Sequence, residues 1–196
     1  MKKIVITLPH FIPNEAEYIN QLFESGIDLL HFRKPDASRE ECERLLKEIP
    51  AKWYPQIVMH DHFDLCTEYH LHGIHLNRRN NQAPEHFSGS LSRSCHSLEE
   101  VTDALKEITD SSEEVTDALK QNKFDYVFLS PIFDSISKQG YHHAFTPEQL
   151  TQAAQDGIIN ERVIALGGIT ESALPQLEAW HFGGAAFLGD VWRKYI

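Results

Sequence analysis

Two runs near the end of the chain limit the available folds most. Val163-Ile-Ala-Leu-Gly-Gly-Ile-Thr170 and Gly183-Gly-Ala-Ala-Phe-Leu-Gly-Asp190 each carry a short apolar stretch into glycine, and one amphipathic segment, Glu171 to Trp180, separates them. Apolar strands joined by a helical crossover lie parallel and are buried on both faces. A glycine just past a strand end lets bare N–H groups come close to a ligand. In a (β/α)8 barrel, the loops after strands seven and eight form the common phosphate site. The two runs therefore read as the last two strands of a TIM barrel that holds a phosphorylated small molecule.

The rest of the chain alternates in the same way. Strands are expected at Lys3–Leu8, Asp28–Arg33, Gln56–His60, Gly73–Leu76, Ser90–Cys95 and Tyr126–Leu129. Helices are expected from Asn14 to Gly26, from Ser38 to Pro50, over Phe63–Tyr69 and over Pro147–Gln155. Between strands four and five only one turn, Pro84–Phe87, is marked. Eight strands with seven or eight crossovers close into one α/β barrel, so residues 1–196 are expected to form a single domain. The chain is short for a fold of ~250 residues. Only Val191–Ile196 remains after strand eight, so the last helix is expected to be truncated. A second copy of the chain would cover the wall thinned there, and a homodimer is the assembly this favours.

The formal net charge of −11 argues against nucleic-acid binding. It also means that an anionic substrate must be held by a local basic cluster. No apolar stretch approaches the ~20 residues of a membrane span. Met1-Lys-Lys-Ile-Val-Ile6 enters a strand with no signal-peptide pattern. The three cysteines, Cys42, Cys66 and Cys95, share no metal-ligand spacing. A reduced, cytoplasmic protein with no membrane partner is the expectation.

Glu99-Glu-Val-Thr-Asp-Ala-Leu-Lys106 recurs unchanged as Glu113–Lys120. The offset of 14 residues is close to four helical turns, so both copies keep one apolar face. Each follows a capping-box pattern, Ser97 with Glu100 and Ser111 with Glu114. The second copy reads as a structural insertion in the helix after strand five.

Chemistry in a barrel sits at the carboxyl ends of the strands. Those ends carry His31-Phe-Arg33-Lys34, His60-Asp61-His62, His75-Leu-Asn77-Arg78-Arg79-Asn80, Ser92-Arg93-Ser94-Cys95-His96 and Ser130-Pro-Ile-Phe-Asp134-Ser135-Ile-Ser137-Lys138. Basic, hydroxyl and imidazole groups thus gather at one pole of an acidic protein. Arginine suits bidentate anion binding and lysine adds a point charge.

The ordered set His31-Phe-Arg33, Met59-His-Asp61, Gly73-Ile-His-Leu76, Arg93-Ser-Cys-His-Ser-Leu-Glu-Glu100, Leu129-Ser-Pro-Ile-Phe133, Ser135-x-Ser137-Lys138 and Ala165-Leu-Gly-Gly-Ile-Thr170 resembles the thiamine phosphate synthase/TenI family over nearly the whole chain. The resemblance implies a (β/α)8 barrel with a place in thiamine biosynthesis. In the synthase branch, a pyrimidine diphosphate loses pyrophosphate with Mg2+ assistance and a thiazole phosphate captures the cation. In the TenI branch, a thiazole carboxylate phosphate is aromatised by proton transfer, with no cofactor. Both imply a thiazole phosphate at Gly167, Gly168, Leu188 and Gly189.

Departures from the synthase pattern bear on the reaction. Where that pattern resembles Gln-Phe-Arg-Glu-Lys, this chain reads His31-Phe32-Arg33-Lys34-Pro35; Lys34 would have to act from one position earlier. His60 replaces an asparagine before Asp61. Asn80 stands where a second Mg2+-binding aspartate is expected, leaving Asp61 as the one carboxylate of a Mg2+ site. His31, the run around His96 and the lost aspartate resemble the TenI branch. Histidine moves protons near neutral pH without special tuning. The balance favours a TenI-like tautomerase, with thiamine phosphate synthase as the alternative and a non-catalytic thiazole-phosphate binder as the third reading. On this view His96, with His31 as partner, carries the proton. Arg33 and Lys138, with Lys34 and His60, hold the second anionic group. Ser94, Ser135 and Ser137 add hydrogen bonds.

Twelve histidines are many for this length. His60-x-His62 and His70-x-His72-x-x-His75 raise zinc, but no convergence of three or four ligands is expected from these spacings. Cys95 and His96 are adjacent in a strand and point to opposite faces, so a Cys–His nucleophile is not expected.

Overall fold

A computed structural model describes residues 1–106, 124–134 and 144–195. Eight parallel strands close in chain order: β1 (Lys2–Ile6), β2 (Leu29–Phe32), β3 (Ile57–Met59), β4 (Gly73–Leu76), β5 (Ser90–Cys95), β6 (Tyr126–Leu129), β7 (Val163–Leu166) and β8 (Gly184–Phe187), with β8 returning to β1. The helices between them are α1 (Glu15–Glu24), α2 (Arg39–Glu48), α3 (Phe63–Glu68), α4 (Leu98–Leu105), α5 (Pro147–Gln155), α6 (Leu174–Ala179) and α7 (Gly189–Trp192). This is the expected (β/α)8 TIM barrel. Between β4 and β5 the chain makes only a turn, where Phe87 N–H donates to Pro84 O at 3.2 Å. No helix among the described residues is long and apolar enough to cross a membrane.

The strands alternate between two environments because successive side chains point to opposite faces. Ile4, Ile6, Leu29, Val58, Tyr126, Phe128, Ile164 and Ala186 pack inside the barrel. Their neighbours Val5, Leu30, Ile57, Val127, Ala165 and Ala185 face outward into the core under the helices. The register places Ile6 beside His31, His75 beside Ser92, and Ser92 beside Tyr126. The interior is therefore apolar along β7, β8 and β1, and polar along β2 to β5, where His31, His60, His75 and Ser92 are all buried.

Local signals set most helix starts. Ser38 opens α2 and Thr146 opens α5 with full capping boxes, reciprocated by Glu41 and Gln149. Asn14, expected from the sequence to cap α1, sits at its start in the left-handed region with no side-chain cap bond. Its carbonyl instead receives the Glu17 and Tyr18 N–H groups. In α4 the box is half made. Ser97 accepts from Glu100 N–H, while the Glu100 carboxylate takes the His96 N–H at 2.6 Å. Val101 is buried as its periodicity requires. The second copy of the repeat lies outside the described residues.

The last described helix, α7, has four residues and ends on Trp192. The indole ring is fully buried and its Nε1–H donates to Ile6 O at 2.8 Å, while Tyr195 stacks on Tyr18 of α1 at 4.5 Å. An indole with its single donor satisfied contributes a large apolar surface without a polar penalty. Aromatic packing thus seats the segment after β8 against β1 and α1.

Candidate active site

At the carboxyl end of the barrel lies a cavity of about 870 Å3, within the usual size of small-molecule sites. Arg33, Arg78 and Arg79 come from the loops after β2 and β4, and Arg93 from β5. Ser92 and Ser94 reach His75 inside the barrel, so Arg93 between them projects from the outer face and lines the flank beside Phe124. Leu166 and Leu188, which close β7 and follow β8, form the apolar side. Four guanidinium groups on one cavity give this acidic chain the local basic cluster that its composition demanded.

The floor is a buried network of imidazoles. His60 and His75 line the cavity, with rings stacked at 4.4 Å. Below them His31 is fully enclosed; its Nδ1 lies 2.9 Å from His60 Nε2 and its Nε2 lies 2.8 Å from Tyr126 Oη. His75 is held at both nitrogens, by Ser92 Oγ at 2.9 Å and Ser94 Oγ at 3.0 Å. Burial disfavours the charged form of all three rings. It pushes His31 and His60 well below the ordinary histidine range, helped by His75, and His75 down to about 3, helped by Arg33 and Arg93. The network is neutral at physiological pH.

His96 stands at the rim of the cavity. Its Nδ1 lies 3.1 Å from the Ser130 carbonyl oxygen and 3.3 Å from the Ser130 hydroxyl. A carbonyl only accepts, so Nδ1 carries a proton, and Nε2 is the nitrogen that holds the lone pair when the ring is neutral. That is the form in which an imidazole takes up a proton. The expected partnership with His31 is not made, because both ring nitrogens of His31 are engaged inside the barrel and the ring does not line the cavity.

Two further expectations are corrected. Lys34 does not reach the site. Its ammonium is buried and bonds Glu15 at 2.6 and 2.8 Å and His10 O at 2.7 Å. Moving one residue along a strand reverses the face, so a lysine directly after an inward arginine cannot serve the same cavity. Asp61 and Asn80 do not make a pair of Mg2+ ligands. The Asp61 carboxylate accepts from Arg79 at 3.1 and 3.3 Å and from Asn80 Nδ2 at 2.9 Å. Asn80 turns its nitrogen, not its oxygen, toward the carboxylate.

The glycine turn after β7 has its own structural cause. Gly167 and Gly168 lie at φ +98° and +64°, and a Cβ on Gly168 would sit 2.4 Å from Asp134 O. The loop after β6 crosses here, with Ile132 N–H bonding Leu166 O and Phe133 N–H bonding Gly167 O, each at 3.0 Å. Gly167 and Gly168 directly follow Leu166, and Gly189, the first residue of α7, directly follows Leu188, so the turn after β7 and the start of α7 both begin at the cavity's apolar edge. Ser135, Ser137 and Lys138 lie outside the described residues. Sequence reasoning missed His75 and Tyr126. Cys95 is buried among outward core residues, and burial raises its thiol to about 11, as expected for a packing residue.

Comparison with known proteins points one way. The model of the TMP-TENI family, described as thiamine monophosphate synthase, matches residues 4–191. The thiamine-phosphate synthase of Dictyoglomus turgidum is 25% identical over 169 residues, spanning 82% of this chain and 68% of that protein. That of Caldicellulosiruptor saccharolyticus is 26% identical over 170 residues, spanning 82% and 69%. A crystal structure of thiamine phosphate pyrophosphorylase from Bacteroides thetaiotaomicron is 42% identical, covers 100% of this chain and 87% of its own, and superposes with a TM-score of 0.84. A thiamine phosphate pyrophosphorylase from Pyrococcus furiosus shares the fold at 19% identity and a TM-score of 0.65.

Proposed function

Because the chain belongs to the thiamine monophosphate synthase (TMP-TENI) family, we propose that it is a thiamine phosphate synthase, joining a pyrimidine diphosphate to a thiazole phosphate. The observation that carries this reading is the set of four guanidinium groups on one cavity whose apolar edge leads into the Gly167–Gly168 turn and the Gly189 start of α7. A diphosphate and a monophosphate must be held together, and the cavity offers two separate regions for them. The amides of Gly167, Gly168 and Gly189 take the thiazole phosphate. Arg33, Arg78 and Arg79 take the diphosphate. As the carbon–oxygen bond to pyrophosphate breaks, negative charge grows on the leaving group, and fixed guanidinium charges stabilise it. The thiazole nitrogen then forms the new bond to carbon. The described residues make one barrel, and we read residues 1–196 as one domain.

The synthase branch implies Mg2+, but the residues present suit that ion poorly. Mg2+ prefers one or two carboxylates with octahedral room. The one carboxylate at this place, Asp61, is already occupied by Arg79 and Asn80. On this reading Arg79 supplies the positive charge beside the diphosphate. EDTA will then leave thiamine phosphate formation largely intact, and Arg33→Met and Arg79→Met will each lower kcat/KM by ~10- to 100-fold, the cost of a lost charge-assisted contact.

One observation favours a second reading, the tautomerase. His96 stands at the cavity rim with Nδ1 directed to the Ser130 carbonyl, which leaves Nε2 as the nitrogen available to take up a proton in a carbon-to-carbon transfer. One experiment separates the two. The purified protein is incubated with the pyrimidine diphosphate and thiazole phosphate, or with the unaromatised thiazole carboxylate phosphate, each with Mg2+ and with EDTA. Thiamine phosphate in the first mixture is the expected result. Turnover of the second alone, lost in His96→Ala, would replace the synthase by the tautomerase. Binding of thiazole phosphate without turnover in either mixture would leave a binding protein.

A further inference from the structure

We propose that His31, His60 and His75 form a transition-metal site at the floor of the cavity, suited to Zn2+ or Co2+ and open on the cavity side. Three adjacent strands, β2, β3 and β4, bring these residues together, and one ring nitrogen from each lies within 4.8 Å of the other two. Four-coordinate Zn2+ with nitrogen ligands at 2.0–2.1 Å needs those nitrogens roughly 3.3 Å apart. His31 Nδ1 and His60 Nε2 are already 2.9 Å apart. Small side-chain rotations complete the set, and the ion replaces one imidazole–imidazole hydrogen bond.

Three features beyond proximity support this site. Bound imidazoles are neutral and have their other nitrogen fixed by a partner, which sets ring orientation and basicity. His31 already has Tyr126 Oη at its far nitrogen, 2.8 Å away. His75 has a serine hydroxyl at each nitrogen, so one anchors the ring when the other nitrogen turns to the ion. The donor set is all nitrogen, which suits Zn2+, Co2+ or Ni2+ and not Mg2+. His60 and His75 face the cavity while His31 lies beneath, so an ion has an entry path and an open fourth position. Arg33 and Arg79 at the mouth and Arg93 at the flank disfavour positive charge on these rings, so a bound dication needs an anionic fourth ligand, such as hydroxide or a phosphate oxygen, to offset them.

The test uses EDTA-stripped full-length protein titrated with Co2+. The expected result is one tightly bound ion per chain with the intense visible absorption of four-coordinate Co2+, displaced by Zn2+ and unaffected by excess Mg2+. His75→Gln will abolish that spectrum. Ser92→Ala, a milder change, will weaken binding by ~10- to 100-fold, the usual effect of removing a ligand's outer partner. A spectrum of six-coordinate, weakly held Co2+ would overturn the proposal. So would tight binding unchanged in both variants, since the ion would then sit on other histidines. Should His75→Gln fail to fold, Ser92→Ala and imidazole nitrogen NMR shifts on adding Zn2+ decide. None of these readouts depends on which reaction the enzyme catalyses.

Discussion

In EDTA-containing buffer, stability to urea will fall steeply as the pH is lowered from 7 to 5. The cause is the neutral network of His31, His60 and His75. In the unfolded chain each ring titrates near 6.5. In the folded barrel burial holds all three lower, His75 at about 3. Below pH 6.5 the unfolded state therefore binds protons that the native state does not, and stability drops as pH drops. The loss continues until the folded rings themselves protonate, for His75 near pH 3. Each ring contributes up to ~1.4 kcal/mol per pH unit, so three give a limiting slope of ~4 kcal/mol per unit. Glu15 runs the other way, because burial raises its carboxyl, but it is one group against three. His75→Gln will reduce the slope by about a third while lowering stability at pH 7. Equal unfolding midpoints at pH 7 and pH 5 in the wild type would show that the rings are solvated and not locked in the interior.

How far the site was legible in the sequence depends on which distance matters. The strands Gly73–Leu76, Ser90–Cys95 and Tyr126–Leu129 and the helix Pro147–Gln155 fall where the patterns place them. Their apolar runs are bounded by glycine, serine or a capping residue, and these signals are local. β2 and β3 each lose one residue at either end, and β1 starts one residue earlier and ends two residues earlier than expected, since pairing and not residue type sets these limits. The arginines at the mouth were visible because all barrel strands present their carboxyl ends to one pole. The imidazole floor was not. Histidines were grouped by closeness in sequence, as 60 with 62 and as 70, 72 and 75. The structure groups them by pleat instead: His62 bonds Ala37 O and His72 bonds Pro55 O, far from the floor. A single histidine between apolar neighbours, as in Leu30-His31-Phe32 and Ile74-His75-Leu76, was the available signal. The same alternation explains Lys34. Its charge suggested anion binding, but its place next to Arg33 turns it to the opposite face, where Glu15 awaits it.

Lys34→Met tests that correction with a large effect. The Lys34–Glu15 pair is almost fully enclosed, with side-chain exposure of 0% and 2%. Burial pushes the Lys34 ammonium down and the Glu15 carboxyl up, and each is partly countered by the other. Removing the lysine leaves a buried carboxylate with the Ile12 N–H at 3.3 Å and the weaker influence of His10. Breaking one side of such a pair costs ~3–5 kcal/mol, whereas replacing both partners by apolar groups is often close to neutral. Urea unfolding at pH 7 should therefore rank Lys34→Met far below the wild type, with Lys34→Met/Glu15→Leu recovering most of the loss. The single variant's deficit will shrink at lower pH. An unpaired Glu15 has a raised folded pKa, so its stability is fullest below the unfolded carboxylate range and is lost as pH rises through the folded value. Catalysis separates the two roles of this lysine. Per folded molecule, kcat/KM of the double variant will match the wild type if Lys34 serves only the pair. A loss comparable with that of Arg33→Met would return Lys34 to the substrate cavity, and a single-variant cost below ~1 kcal/mol would mean that the pair behaves as a solvated surface contact.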